Sequence, residues 1–383
     1  MSIIRVSIQQ PAIPKYRLPL FKSLAKEKNI NLKLFYSIND KTIPNVVPIG
    51  INSFFSEMLK FRIIGKQTML WHQAQWKIAS NSVSDVIILS WDLHYLSLLP
   101  ALFRAKLNKV PVILWGHGFS KNENKFKHIL RKMVAFFSSA IILYDFNTAK
   151  CYINSGFNKK KIFVAPNSLD QTPIIEAKKY WSTKFKKLRK FQSIYNLNPS
   201  KTIIYIGRVY PKNNLKILIL ALPKITRVIK NIKLVVIGSG KELVELKALS
   251  KEYKVDKHII WVGELYKETE IAKWMLSSSV FCYPENIGLS IMHAFGYGLP
   301  VVTSNLTRKH NPEIYSLRNK KNGLTYTNGS VNSLVKILRT ILKKNKQRVS
   351  LSNEALITVE SKFNIKKMTS GFIDAINYAK SSL

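Results

Sequence analysis

Short apolar runs alternate with amphipathic stretches along the whole chain. In the first half the runs are IIRVSI, NLKLFYS, SDVIILS, PVILWGHG, SAIILYD and KIFVAPN; in the second they are TIIYIGR, KLVVIGSG, IIWVGEL, SVFCYPE, LPVVTSN and GLTYTN. Helix-like segments separate them: YRLPLFKSLAKE, DLHYLSLLPALFRAKL, a basic stretch near Phe126 to Phe137, and later stretches near Leu215 to Ile229 and Glu242 to Leu249. Continuous apolar strands alternating with helices are the mark of parallel sheets covered on both faces. Two such series predict two doubly wound α/β domains, which 383 residues are enough to fill. The strand pattern lapses between Asn167 and Ser200, in AKKYWSTKFKKLRKFQ. The expected division is therefore an N-terminal domain over 1–175, a basic linker over 176–200, a second domain over 201–360, and a C-terminal helix over 361–383 able to cross back to the first domain.

Ligands of such sheets bind outside the carboxyl ends of the strands, so residues that follow strands are the ones to examine. After TIIYI comes GRVYPKNN, in which Gly207 permits a tight turn and the cations Arg208 and Lys212 emerge together. Such a pair suits a diphosphate, with Arg as a bidentate fork and Lys as a point charge. The turn IGSGKE at Ile237 to Glu242 is of a common type that more often simply starts a helix, with a contact to a nucleotide base as the alternative. The stretch YPENIGLSIMHAFGYGLPVV reads as strand, turn, helix over Leu289 to Tyr297, and stop at Gly298 and Pro300. Unpaired amides at that helix start, with the Ser290 hydroxyl, would bind a phosphate. Glu285 lies before the helix and His293 within it, so they are expected to touch different parts of one extended ligand.

In the first half, His117 follows the strand PVIL between two glycines, and Tyr16 and Arg17 follow the first strand and its loop. Trp91, Asp92 and His94 follow SDVIILS and are further candidates by position alone. His72, His128, His258 and His310 belong to no constellation and read as packing or surface residues.

GRVYPKNN, VIGSGKE and PENIGLSIMHAFGYGLPVV, with HNPE and NG downstream, together resemble the retaining "glycosyl transferases group 1" family, whose fold is GT-B. The likeness is strongest from Thr202 to Tyr326 and continues more weakly through QQPAIPKYRLPLF, WGHG and VAPNSLD. It implies an α/β GT-B architecture of two Rossmann-like, doubly wound parallel-sheet domains facing a cleft. It also implies sugar transfer from a nucleotide diphosphate with retained anomeric configuration, no cofactor and no required metal. The family's donor motif is Glu, seven residues, Glu; the first approaches the donor sugar and the second binds ribose hydroxyls. Glu285 fits the first position and His293 occupies the second, where an imidazole nitrogen can still bond a hydroxyl. The family's lysine five residues after the arginine is Asn213 here, so Lys212 is expected to substitute. By the same resemblance Glu285, His117, Arg208 and Lys212 form the catalytic set, with His117 reaching the donor sugar across the cleft. Gly207, Arg208, Lys212, Gly288, Leu289, Ser290 and His293 bind the donor, Tyr16 and Arg17 lie on the acceptor side, and Asn167 is a structural residue near the domain crossing. Many bacterial members extend a lipid-carried glycan at the cytoplasmic face of the membrane. A bacterial surface-polysaccharide enzyme, cytoplasmic or peripheral at that face, is the expectation.

Charge widens the choice of partners. Sixty-one Lys and Arg against 21 Asp and Glu give a net charge of +40, a field that attracts nucleic acid, anionic membrane or phosphorylated substrates. A Lys-, Asn- and Ile-rich coding bias would give the same excess without selecting any of them. No RNA- or DNA-binding module is recognisable, so no nucleic-acid partner is expected, although a basic nucleic-acid-binding protein is the alternative in another class. A GT-B relative such as a sugar-nucleotide epimerase is a further one, and it would want more acids. Ala177 to Lys190 carries seven Lys or Arg and no acid, with Trp181, Phe185, Leu188, Phe191 and Tyr195 at helical spacing. Such a helix either lies on an anionic membrane or packs its aromatics on the domain below. KFKHILRKMVAFF offers the same pattern and reads as a core-packed helix. Cys151 and Cys282 both lie in apolar stretches and read as buried, inert thiols of a reducing compartment. No run of 18 apolar residues occurs, and MSIIRVSIQQPAIP is not built like a signal peptide.

Overall fold

The structure, a computed structural model, describes residues 3–37, 46, 48–63, 67–119 and 125–382. The chain divides into two compact units, Met1–Asn167 with Ile365–Leu383, and Ser168–Asn364. In the first unit the strands are β1 (Ile4–Gln10), β2 (Ile30–Tyr36), β3 (Ser53–Phe55), β4 (Met58–Ile63), β5 (Gln67–His72), β6 (Val86–Ser90), β7 (Val112–Gly116), β8 (Ala140–Leu143) and β9 (Ile162–Val164). Seven of these form a parallel sheet in the order β3-β2-β1-β6-β7-β8-β9, and β4 with β5 form a separate antiparallel pair. The second unit has β10 (Thr202–Ile206), β11 (Lys233–Ile237), β12 (Ile259–Gly263), β13 (Val280–Cys282), β14 (Val301–Ser304) and β15 (Gly323–Tyr326), parallel and in the order β12-β11-β10-β13-β14-β15. Both expected doubly wound sheets are present. In each, the chain fills one side, returns, and fills the other, which puts switch points between β1 and β6 and between β10 and β13. Crevices open at the carboxyl ends of strands at such points.

The helices are α1 (Leu18–Ala25), α2 (Gln73–Ile78), α3 (Leu98–Leu107), α4 (Lys125–Phe136), α5 (Phe146–Asn154), α6 (Thr172–Thr183), α7 (Phe185–Ile194), α8 (Leu215–Thr226), α9 (Leu243–Glu252), α10 (Glu268–Met275), α11 (Ser290–Gly296), α12 (Val331–Lys343), α13 (Asn345–Ser361) and α14 (Ile365–Ser381). Fully buried strands such as β6 and β7 need cover on both faces. In the first unit α1 and α14 supply it on one side, through Leu20, Phe21, Phe372 and Ile376. On the other side α2 to α5 do so, through Ile78, Leu102, Val134 and Tyr152. The C-terminal helix α14 thus belongs to the first unit.

Four expectations need correction. Residues 176–200 are not a linker but lie within the second unit, mostly in α6 and α7. The two helices are separate because the Ser182 and Thr183 hydroxyls bond back to the carbonyls of Lys179 and Tyr180, and Lys184 turns out of helical geometry. Trp181 and Phe191 pack on the core of that unit; Trp181 donates to the Thr269 carbonyl (2.7 Å), and Phe191 meets Trp274 edge to face. Helix α4 is not simply core-packed: it buries Arg131, Val134 and Ala135 and exposes Phe126, Ile129, Met133 and Phe136. Cys151 is exposed, on the outer side of α5, whereas Cys282 is buried and its thiol pushed up by burial.

His72, at the end of β5, is fully buried, with its Nε2 3.3 Å from the Gln10 carbonyl. Burial depresses its pKa to about 4. A histidine kept neutral in the fold costs nothing above the unfolded value of about 6.5 and destabilises progressively as pH falls from there towards 4. The expected loss is about 3 kcal/mol, and His72→Gln should remove that part of the acid dependence. Urea midpoints at pH 7 and pH 4.5 measure it; equal acid losses in both proteins would refute it.

Candidate active site

In the second unit the loops after β10 and β13 meet at the switch point. The Arg208 carbonyl accepts from the Tyr205 hydroxyl (2.7 Å) and from Asn213 Nδ2 (2.6 Å), so the backbone beneath the guanidinium is held from two sides. Gly207 passes under Tyr283, where a Cβ would fall 2.7 Å from the ring. Gly240, at φ +159°, brings the loop after β11 so close that a Cβ would lie 2.2 Å from the Val209 carbonyl oxygen. Arg208 and Lys212 are both exposed, and no ion pair to an acid is made by Lys212 among the described residues. Asn213, at the position of the family's lysine, is instead buried and ties the loops together. Its Oδ1 accepts from Asn286 Nδ2 (2.9 Å) and its carbonyl from the Glu285 amide (3.2 Å).

Glu285 is buried at this junction. One carboxylate oxygen accepts from Asn214 Nδ2 (2.9 Å) and Asn328 Nδ2 (2.8 Å), and the other from Lys309 Nζ (2.7 Å). Burial opposes its ionisation, but the bonds from Lys309, Asn214 and Asn328 outweigh burial and hold the carboxyl below its ordinary value. Asn286 takes φ +58°, and the Ile287 amide donates to His310 Nδ1 (3.2 Å). That bond leaves the proton on Nε2, which faces the Ser304 carbonyl at 3.0 Å. His310 is therefore the buried support of this loop.

The helix start lies one residue beyond the expected one, at Ser290, and α11 ends at Gly296. The amides of Ile291 and Met292 bond to Gly288 and Leu289 carbonyls, while those of Gly288, Leu289 and Ser290 are without partners among the described residues. Inside α11, His293 Nε2 lies 2.8 Å from Glu268 Oε1, and the Tyr297 hydroxyl donates to the same oxygen at 2.6 Å. Burial opposes the Glu268 charge, but His293 and Tyr297 hold its carboxyl below the ordinary value. A hydroxyl contact by His293 is thus left to Nδ1.

In the first unit, Arg17 stacks on Trp115 (4.2 Å from Cζ to ring centre) and donates to the Tyr144 hydroxyl (2.7 Å). Its Nη1 is buried without a hydrogen-bond partner. Tyr16 is exposed beside it, and the exposed His117 ring lies 4.8 Å from that of Tyr144. Tyr16, Arg17 and His117 are therefore brought together around Tyr144. Trp91 is not a lining residue: it is buried under Gly116 and against Tyr152. Asp92 and His94 pair with each other in solvent (2.7 Å), and Asn167 is buried at the unit boundary. His258 bonds the Ile232 carbonyl through Nδ1 (3.0 Å).

The residues that sequence reasoning missed are Asn214, Lys309 and Asn328 around Glu285, Glu268 beside His293, and Tyr144 beside Arg17. Asn214 closes GRVYPKNN, Asn328 closes GLTYTN and Tyr144 stands in SAIILYD, yet nothing local marks any of them; Glu268 and Lys309 lie outside the quoted stretches. Among the described residues no three His, Cys, Asp or Glu side chains gather to hold a metal ion, and no helix is long and apolar enough to cross a membrane.

Comparison with known proteins joins these features. The family model "Glycosyl transferases group 1" matches residues 187–356. An uncharacterized glycosyltransferase of Haemophilus influenzae is 24% identical over 211 residues, 51% of this chain and 57% of that protein. The GDP-mannose-dependent alpha-(1-6)-phosphatidylinositol monomannoside mannosyltransferase of Mycobacterium tuberculosis is 25% identical over 167 residues, 41% of this chain and 42% of that protein. The chain thus spans about half the length of the curated relatives it matches. The crystal structure of Anabaena HepE with UDP superposes with a TM-score of 0.71 over 100% of both chains at 16% identity. That of the lipopolysaccharide outer core galactosyltransferase WaaB gives 0.70 over 99% of this chain and 100% of the other at 15% identity. These likenesses establish the fold as GT-B.

Proposed function

We propose that this chain, a member of the glycosyl transferases group 1 family through its second unit, transfers a sugar from a nucleoside diphosphate to a glycan or lipid-linked acceptor with retention. The observation that carries the reading is the junction at the second switch point. There Arg208, the three unpartnered amides of Gly288 to Ser290 and the carboxylate of Glu285 belong to loops tied together through Asn213 and Asn214.

In such a transfer the bond from the anomeric carbon to the phosphate oxygen breaks, the oxygen of an acceptor hydroxyl takes its place and gives its proton to the departing diphosphate, on which negative charge grows as the bond breaks. Fixed donors aimed at that charge lower the barrier without reorganising. Arg208, Lys212 and the Gly288–Leu289–Ser290 amides are assigned that role, Gly207 admits the diphosphate to the backbone, and no metal is then required. Glu285, kept ionised by Lys309, is assigned to the donor sugar, and His293 with Glu268 to the ribose hydroxyls. In the first unit Tyr16 and Arg17 are assigned to the acceptor, with His117 as the catalytic group beside them; the orphan Nη1 of Arg17 supports an oxygen-rich partner. The names of HepE with UDP and UDP-glucose support a nucleotide sugar, and that of the lipopolysaccharide galactosyltransferase WaaB supports surface-polysaccharide assembly; a peripheral place at the cytoplasmic face of a membrane is part of the same proposal.

Thermal shift with UDP-, GDP- and dTDP-sugars tests donor binding. A ligand at one hundred times its Kd stabilises the fold by about 2.7 kcal/mol, so one nucleotide class should raise Tm by several degrees. A flat response to all three would contradict the reading.

A further inference from the structure

Helix α4 has two apolar faces. Arg131, Val134, Ala135 and the following Ser138 point into the first unit. Phe126, Ile129, Met133, Phe136 and Phe137 recur at i, i+3, i+7, i+10 and i+11, which places them on one side of a helix turning about 100° per residue. All five are exposed, up to 74% at Phe136. The neighbouring helices add to the surface: α3 exposes Leu99, Phe103 and Leu107, and α5 exposes Phe146 at 71%. Helices α3, α4 and α5 link β6, β7, β8 and β9 in turn and pack into one buried cluster, so they lie side by side on one face of the sheet. Contiguous apolar surface of this kind on a folded unit marks an interaction site.

Its charge selects the partner. Between Leu93 and Leu169 the sequence has twelve Lys and Arg and two acids, Glu123 and Asp145. Asp145 is buried as the cap of α5, accepting from the Thr148 amide and hydroxyl, and Glu123 lies outside the described residues. Lys125 and Lys132 stand two helical turns apart along one edge of the apolar stripe, and Lys106 and Lys150 are exposed on α3 and α5. A symmetric dimer through this face would set these cations against their own copies with no acid between them. We propose that the α3–α4–α5 face docks the first unit on an anionic lipid bilayer, with the phenylalanines in the headgroup–acyl boundary and the lysines among the headgroups. This surface replaces α6–α7, whose Trp181 and Phe191 are taken up by packing. It deepens the peripheral placement proposed above and rests on that part of the reading alone, none of its chemistry.

Flotation without sugar nucleotide, using vesicles of phosphatidylcholine alone and mixed with phosphatidylglycerol, tests the proposal apart from donor binding, which thermal shift reads independently. The full chain should float with the anionic vesicles and not with the neutral ones. The double variants Phe136→Ser/Phe137→Ser and Ile129→Ser/Met133→Ser, whose side chains are exposed, should keep the wild-type Tm and float at least about ten-fold less. Lys186→Glu/Lys187→Glu on α7 should reduce binding less than two-fold. Absence of binding, equal binding by both apolar variants, or loss confined to the α7 variant would overturn the proposal. So would a wild-type dimer in solution that Phe136→Ser/Phe137→Ser dissolves, which would make a second copy the partner.

Discussion

Glu285→Ala is expected to abolish measurable transfer and to destabilise the second unit by about 2–3 kcal/mol, because it leaves a lysine and two amides facing a buried gap. Lys309, Asn214 and Asn328 all point their donors at this one carboxylate, and they come from three separate loops. The informative variant is Glu285→Gln. Its amide oxygen can still accept from Asn214 and Asn328, so most of the stability should return. The negative charge does not return. If that charge acts on the donor sugar, turnover stays at least about 10²-fold down at near-normal Tm. Recovery of turnover along with Tm would reduce Glu285 to a support for the loop.

Arg208→Ala should lower kcat by about 10²–10³-fold with little change in Tm. The two consequences separate because the backbone at this position is held by groups other than the guanidinium: the Tyr205 hydroxyl and Asn213 both bond the Arg208 carbonyl. Removing an exposed side chain from a loop fixed in this way leaves the loop in place and takes away one donor to the departing diphosphate. Arg208→Lys should recover only part of the rate, since an ammonium keeps the charge and loses the bidentate fork. A matching fall in Tm and kcat would mean that Arg208 holds the loop. Unchanged kinetics would place the diphosphate elsewhere.

The parallel sheets were legible because runs such as VVI and VIILS have no polar alternation and so must be covered on both faces. The strand-to-helix turn at Tyr283 to Gly298 was legible for a local reason, since its glycines and proline sit where such a turn ends. What surrounds Glu285 was not. Lys309 and Asn328 lie 24 and 43 residues away and arrive only through the sheet order β10-β13-β14-β15. Glu268 reaches His293 from the start of α10 in the same way. The aromatic stretches show a different limit. Periodicity assigned both Phe126 to Phe137 and Trp181 to Tyr195 to helices, yet a stripe of aromatics looks the same whether a neighbour covers it or not. Trp274 covers Phe191 and Tyr195, whereas nothing among the described residues buries Phe126 or Phe136. The break at Lys184 leaves no mark in the periodicity, because it depends on hydroxyls of Ser182 and Thr183 turning back on the backbone.

Release of free nucleoside diphosphate is the decisive readout of sugar transfer. The full chain would be incubated with UDP-, GDP- or dTDP-sugars, with and without a bacterial lipid-linked glycan extract, and the nucleotide products separated by chromatography. If the chain transfers sugar from a nucleotide donor, one sugar nucleotide yields its nucleoside diphosphate, the extract accelerates this, and Arg208→Ala suppresses it by about 10²-fold or more. No diphosphate from any donor, or release that Arg208→Ala leaves unchanged, would contradict it.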